Sequence, residues 1–81
     1  MAGPEKLKHA VDLLAKGDWQ GAHSIAQEDE SLAGCWIHGI VHLLEGDLDN
    51  ARYWYRRAGR VFPKNVSVDH ELTALRDTLS A

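Results

Sequence analysis

The sequence contains few of the features that stabilise secreted or membrane proteins. It has one cysteine among 81 residues, Cys35, so no disulfide can form within the chain. A lone thiol is typical of proteins in reducing compartments. The first residues lack the apolar run of a signal peptide. The longest mostly apolar stretch, Leu32 to Leu44, contains two histidines and is too short to span a bilayer. We therefore expect a cytoplasmic protein without a membrane segment.

Sequence motifs of common enzymes are also missing. The chain contains no nucleophile elbow, no glycine-rich phosphate loop and no paired-cysteine metal motif. A histidine near an acid is inevitable with 5 histidines and 12 acidic residues, so such pairs do not indicate catalysis. The net charge of the chain is −3, so its overall electrostatic field does not favour binding to nucleic acid or to an anionic membrane. The sequence therefore predicts a protein that is not an enzyme and needs no cofactor.

Apolar residues recur at helical spacing along most of the chain, and this pattern predicts an all-α fold of about five helices. We expect a single domain over residues 1–81, too small for more than one modest core. It would contain one helical hairpin over about 4–30, a second over about 31–63, and a C-terminal capping helix over about 67–80. No segment is long enough to predict a strand.

Glycine, proline and short polar residues predict where these helices begin and end. Pro4 suits a first helical position. Gly17 and Gly46 suit the left-handed conformation that ends a helix, and Pro63 is expected to end the fourth helix. A loop is expected over 64–66. The predicted N-caps are Asp18, Ser31, Asp47 and Ser67.

The third helix is apolar on all sides, which predicts that it is the buried central element. The other helices each have one apolar face. In the second helix this face contains Trp19, Ala22, Ile25 and Ala26. In the fourth it contains Leu48, Ala51, Tyr55, Ala58 and Phe62. In the last helix it is a narrow stripe of Val68, Leu72, Leu75 and Leu79.

An internal repeat relates the two predicted hairpins. An offset of 29 residues aligns Ala10–Gln27 with Gly39–Arg56, so that Gly17-Asp18 corresponds to Gly46-Asp47. Self-similarity at such a period is typical of stacked helical hairpins. Two hairpins are fewer than the three or more usually needed. The last helix or a second chain is therefore expected to cover the open end.

Residues 32–65 resemble one tetratricopeptide repeat. The resemblance rests on a small residue in the first helix, a glycine–aspartate turn, a small–aromatic–small ladder and a terminating proline. These are Gly39, Gly46-Asp47, Ala51, Tyr55, Ala58 and Pro63. The sequence departs from the family where His38 and His42 occupy large apolar core positions. The resemblance implies antiparallel helix pairs with a concave side for a peptide, and hence a protein partner or a homo-oligomer.

The segment from Glu45 to Gly59, with the pattern EGD..NA.YWYRRAG, also resembles small uncharacterised bacterial proteins. This second resemblance implies no activity.

The first candidate site is His38-x-x-x-His42-x-x-Glu45, whose spacing places the three side chains on one helix face within reach of one metal ion. His23 or His9 could add a ligand from the neighbouring hairpin. The interpretation we favour assigns no metal. In it the two α3 histidines are structural or line a pocket. The candidate pocket residues are His38, His42, Trp36 and Trp54.

The second candidate site is the basic fourth helix, where no acid occurs from Ala51 to Lys64. Its candidate binding residues are Arg52, Tyr53, Arg56, Arg57 and Arg60. An acidic protein segment is the expected partner, and the run Glu28-Asp29-Glu30 of another copy is one candidate. The simpler alternative is a solvated outer face whose arginine stems cover aromatic rings.

The sequence thus predicts a non-enzymatic module for protein–protein interaction or self-association. One alternative is a small ligand- or metal-binding protein that uses His38, His42 and Glu45. A second alternative is nucleic-acid binding through the basic fourth helix, which the acidic net charge disfavours.

Overall fold

A computed structural model describes residues 3–63 and 67–80, and within them it confirms the all-α fold. The chain forms five helices, which make two hairpins and a C-terminal helix. Their bounds are α1 Pro4–Ala15, α2 Trp19–Ala26, α3 Leu32–Glu45, α4 Leu48–Arg57 and α5 Val68–Ser80. The loop expected over 64–66 lies outside the described residues. None of the described helices combines the length and apolar character that crossing a membrane requires.

Side-chain caps begin the helices at the predicted positions. Asp18 accepts from the backbone N–H of Gly21, and Ser31 does the same for Gly34. Asp47 repeats this arrangement at the start of α4, and the Ser67 hydroxyl accepts from the backbone N–H of His70 in α5. Each cap satisfies a backbone donor that has no partner within the helix.

Three helices end at a glycine with a left-handed backbone: Gly17, Gly46 and Gly59 have φ of 85°, 81° and 70°. In each case the next residue donates its N–H to a carbonyl five residues back, as Arg60 does to Tyr55. The expected end of the fourth helix at Pro63 is therefore wrong. Gly59 ends it first, by the same glycine chemistry that ends α1 and α3.

Helix α3 is the central element, since it packs against each of the other four helices. Its residues from Gly34 to Val41 are all buried, which confirms the prediction from its apolar character. Helix α5 packs on α1 and α3 and covers the stack, with Leu72 and Leu75 buried. The chain thus provides its own capping helix.

The 29-residue offset relates positions with the same environment in the two hairpins. Val11 and Ile40 are both fully buried, and so are Ala22 and Ala51. The two hairpins differ at one equivalent position of their second helices. This position is Ala26 in α2 and the large aromatic Tyr55 in α4.

Tyr55 packs directly on the α3 backbone because Gly39 has no side chain. A Cβ atom added at Gly39 would lie only 2.6 Å from Cδ1 of Tyr55, which is far inside van der Waals contact. The small residue expected in the first helix of the hairpin therefore allows this close approach of α3 and α4.

A buried carboxylate joins the three helices α3, α4 and α5. Oε1 of Glu71 accepts from the Tyr55 hydroxyl at 2.6 Å and from Nε1 of Trp36 at 3.2 Å. Burial and this hydrogen bond raise the pKa of Tyr55 well above its usual value, so the phenol remains a donor. The α5 stripe of apolar residues gave no sign that Glu71 is buried beside it.

Several residues expected in the core lie at the surface instead. Leu48 is 46% exposed, and Leu32, at the start of α3, is 67% exposed. Phe62 is half-buried beyond the end of α4 and packs edge-on against the Tyr55 ring. Leu48 is exposed because it is the first residue of α4, before the helix makes its close contact with α3.

We expect Tyr55→Phe to lower the free energy of unfolding by about 1–3 kcal/mol, because it removes a donor from the buried carboxylate of Glu71. Tyr53→Phe is the matched control. Its hydroxyl lies at the surface, 3.4 Å from the Arg57 guanidinium, and its loss should change stability by less than about 0.5 kcal/mol. Urea denaturation of the two variants measures this difference, and equal stabilities would contradict the structural role of Glu71.

Candidate functional site

Three histidines from two helices meet beside the α2–α3 interface. His23 lies in α2, and His38 and His42 lie one turn apart in α3. Nε2 of His23 is 3.1 Å from Nε2 of His38. One ring nitrogen from each of the three residues lies within 4.8 Å of the other two. We call these three residues the histidine cluster.

Aromatic and acidic neighbours hold the rings of the cluster. The Trp54 indole of α4 stacks on His38 with ring centroids 3.8 Å apart and planes 9° from parallel. Nδ1 of His42 lies 2.9 Å from Oε1 of Glu45, but this buried nitrogen makes no hydrogen bond. Glu45 therefore contacts the cluster through His42, and the residue that lies within 4.8 Å of both α3 histidines is His23.

The environment of His38 disfavours a proton on its ring. Burial, the neighbouring His23 and His42, and the Arg57 guanidinium together lower the pKa of His38 from 6.5 to about 4. The imidazole is therefore neutral near pH 7. A neutral imidazole has one ring nitrogen that can accept a hydrogen bond or bind a metal.

The other residues considered for this site lie elsewhere. Trp36 donates to Glu71 and has the Arg60 guanidinium 3.8 Å from its ring centre, so the structure does not bring it to Trp54 and the histidines. His9 is exposed on α1. The Cys35 thiol is buried, and burial raises its pKa, which favours the protonated form that does not bind metal.

The basic residues of α4, together with Arg60 just beyond its end, divide between two sides of the helix. Arg52, Arg56 and Arg60 line an open groove of about 310 Å³ together with Tyr55 and Phe62. We call these three residues the arginine face.

Arg57 lies on the other side of α4, with its guanidinium carbon 5.0 Å from the Trp54 ring centre and 5.8 Å from that of Tyr53. The five residues of the predicted binding surface therefore do not form one patch. Arg57 and Tyr53 belong with Trp54, and the arginine face stands apart.

None of these arginines is neutralised by an acid within the described part of the chain. The close contacts found there between basic and acidic side chains join Arg76 to Asp12 and His42 to Glu45, and none involves these arginines. The guanidinium carbons of Arg52, Arg57 and Arg60 lie over aromatic rings instead, with that of Arg52 5.0 Å from the centre of Phe62. Their charges remain available to solvent or a partner.

Comparisons of the chain with protein-family models, with curated proteins and with solved structures give no match. The candidate sites therefore rest on the geometry of the chain itself.

We expect the neutral state of His38 to make the fold acid-sensitive. Its pKa is about 4 in the folded chain against 6.5 for an ordinary histidine, so the unfolded chain binds the proton more readily. The stability present above pH 6.5 is lost as the pH falls towards 4. Between about pH 7.5 and pH 4.5 the native chain should lose about 2–3 kcal/mol more unfolding free energy than His38→Gln.

Urea denaturation at the two pH values measures this difference. His70→Gln is the control, because His70 is exposed on α5, and it should behave like the native chain. An equal acid-induced loss in the native chain and in His38→Gln would contradict the assignment.

Proposed function

We propose that the chain is a non-enzymatic protein-interaction module that binds an acidic segment of a partner protein on the arginine face. The observation that supports this most is the positive charge of α4 and of the turn that follows it. Arg52, Arg56 and Arg60 recur at intervals of four residues, are exposed, and form no ion pair within residues 3–63 and 67–80. Such a row of free guanidiniums favours a partner with carboxylates at matching intervals.

The groove supports a bound side chain as well as a charge contact. The half-buried Phe62 provides its apolar surface above the fully buried Tyr55, and guanidiniums flank it. Arg52 lies over Phe62 and Arg60 over Trp36. Arginines that already contact aromatic rings lose less conformational entropy on binding than free ones. This arrangement suits a partner segment that alternates acidic and apolar residues.

A separate partner protein fits the charges better than a second copy of this chain. In the acidic run Glu28-Asp29-Glu30, the central Asp29 is 4% exposed and accepts from the Ser31 backbone N–H. Only its two neighbours remain to contact arginines of another copy. Nucleic acid is less favoured than protein because the chain as a whole has a net charge of −3, so the basic region around α4 is small and isolated.

The tetratricopeptide-like resemblance supports the same class of function, since it implies a peptide-binding scaffold. A cytoplasmic location completes the proposal. It rests on the single cysteine, which is a free thiol buried in the core.

Fluorescence anisotropy with a labelled peptide rich in Asp, Glu and Leu tests the proposal. We expect binding that weakens with salt, because the contacts are charged. Arg52→Glu/Arg56→Glu should weaken it about tenfold or more. Lys6→Glu/Lys16→Glu is the matched control, because it changes the net charge equally at exposed positions of the first hairpin. This control should bind almost as the native chain does.

Three results would contradict the proposal. Equal weakening by both double variants would show a general charge effect. Tighter binding of a single-stranded RNA than of the peptide would favour nucleic acid. A concentration-dependent dimer in analytical ultracentrifugation that Arg52→Glu/Arg56→Glu abolishes would make a second copy the partner.

A further inference from the structure

We propose that the histidine cluster of His23, His38 and His42 is a binding site for a late first-row divalent cation, with Zn²⁺ as the reference ion. This proposal goes beyond the arginine face, which lies on a different side of α4. It rests on ring-nitrogen distances, on burial and on the neighbours that hold the rings.

The distances match those between ligands of one metal ion. Two imidazole nitrogens about 2.0–2.1 Å from a tetrahedral zinc lie about 3.3 Å apart. Nε2 of His23 and Nε2 of His38 are 3.1 Å apart. The third ring has a nitrogen within 4.8 Å of both. The three ring nitrogens are therefore close enough together to be candidates for ligands of one ion.

Hydrogen bonding alone leaves this cluster incompletely satisfied. The His23–His38 contact can hold one proton between its two nitrogens, and so accounts for one nitrogen on each ring. Nδ1 of His42 is buried and makes no hydrogen bond. A buried ring nitrogen without a hydrogen bond is unfavourable. A cation bound at the other nitrogen of His42 would orient the ring so that its Nδ1–H donates to Glu45, which lies 2.9 Å away.

The neighbours of the cluster suit a cation. The Trp54 indole stacks on His38 and fixes the orientation of its ring. Oε1 of Glu45 lies 2.9 Å from Nδ1 of His42, where a carboxylate commonly sits when the other nitrogen of a histidine binds metal. Glu45 is thus a positioning residue whose charge partly offsets that of the ion.

The donor set determines the class of ion. Three imidazoles favour Zn²⁺, Cu²⁺, Ni²⁺ or Co²⁺ and disfavour Mg²⁺ and Ca²⁺, which prefer oxygen ligands. Three protein ligands leave a fourth position for water or another ligand on zinc. The expected stoichiometry is one ion per chain.

Isothermal titration of the untagged full chain with Zn²⁺ is the first measurement. We expect one site per chain, no comparable binding of Mg²⁺, and a melting temperature raised by about 10–20 °C at a hundredfold excess over the dissociation constant. His23→Gln should weaken binding by about tenfold or more. This position is only half-buried, so the variant should keep the fold, as circular dichroism can verify.

The chain provides a matched control, because its two other histidines lie outside the cluster. His9 and His70 are exposed on α1 and α5, so His9→Gln/His70→Gln should bind Zn²⁺ as the native chain does. Imidazole nitrogen resonances give a direct readout: Zn²⁺ should shift those of His23, His38 and His42 and leave those of His9 and His70 unchanged.

The proposal is overturned if Zn²⁺ produces no heat and no shift in melting temperature. It is also overturned if His23→Gln binds as tightly as the native chain, or if His9→Gln/His70→Gln abolishes binding. Neither the peptide nor the arginine-face variants enter this experiment, so its outcome is independent of the proposed protein-binding function.

Discussion

The close contact of Tyr55 with α3 is the interaction on which the rest of the structure depends. It requires a glycine, because any Cβ at Gly39 would meet the phenol ring. It also requires a buried acceptor, which Glu71 provides at 2.6 Å from the Tyr55 hydroxyl. A buried polar group is stabilising only when it is paired, so the position of α4 on α3 and that of α5 beneath it are set by the same carboxylate. The contact therefore joins both helices of the second hairpin to the capping helix.

Because Tyr55 points into the core, its helical neighbours must point to either side of it. Successive residues of a helix are about 100° apart. Trp54 is thereby placed against His38, and Arg56 on the open groove beside Phe62. The histidine cluster and the arginine face are thus separate sites on two flanks of one helix. Arg57 lies one turn beyond Tyr53, on the flank of Trp54, where its charge contributes to the low pKa of His38.

The sequence predicted the features that depend on local chemistry. Gly17-Asp18 and Gly46-Asp47 indicated two helix ends and starts, and the all-round apolar α3 indicated the central element. Gly59 is a glycine of the same kind as Gly17 and Gly46. It lies before Pro63 in the sequence, and it predicts the end of α4 correctly where the proline does not. Other features depend on distant contacts. The sequence could not distinguish His9 from His23 as the additional candidate ligand. The packing of the helices decides which of the two lies against α3. Glu71 follows no local rule, because its partners are 16 and 35 residues away in the chain.

The two α3 histidines occupy positions where an apolar side chain would stabilise the core more simply. His38 is 7% exposed and its ring stays neutral, so its burial requires the pKa to fall to about 4. Stacking on Trp54 restores the dispersion contact that a large apolar residue would make. The His23–His38 contact accounts for one nitrogen on each of these two rings, whereas Nδ1 of His42 makes no hydrogen bond. The proposed cation would account for the imidazoles at all three positions and for Glu45 beside His42.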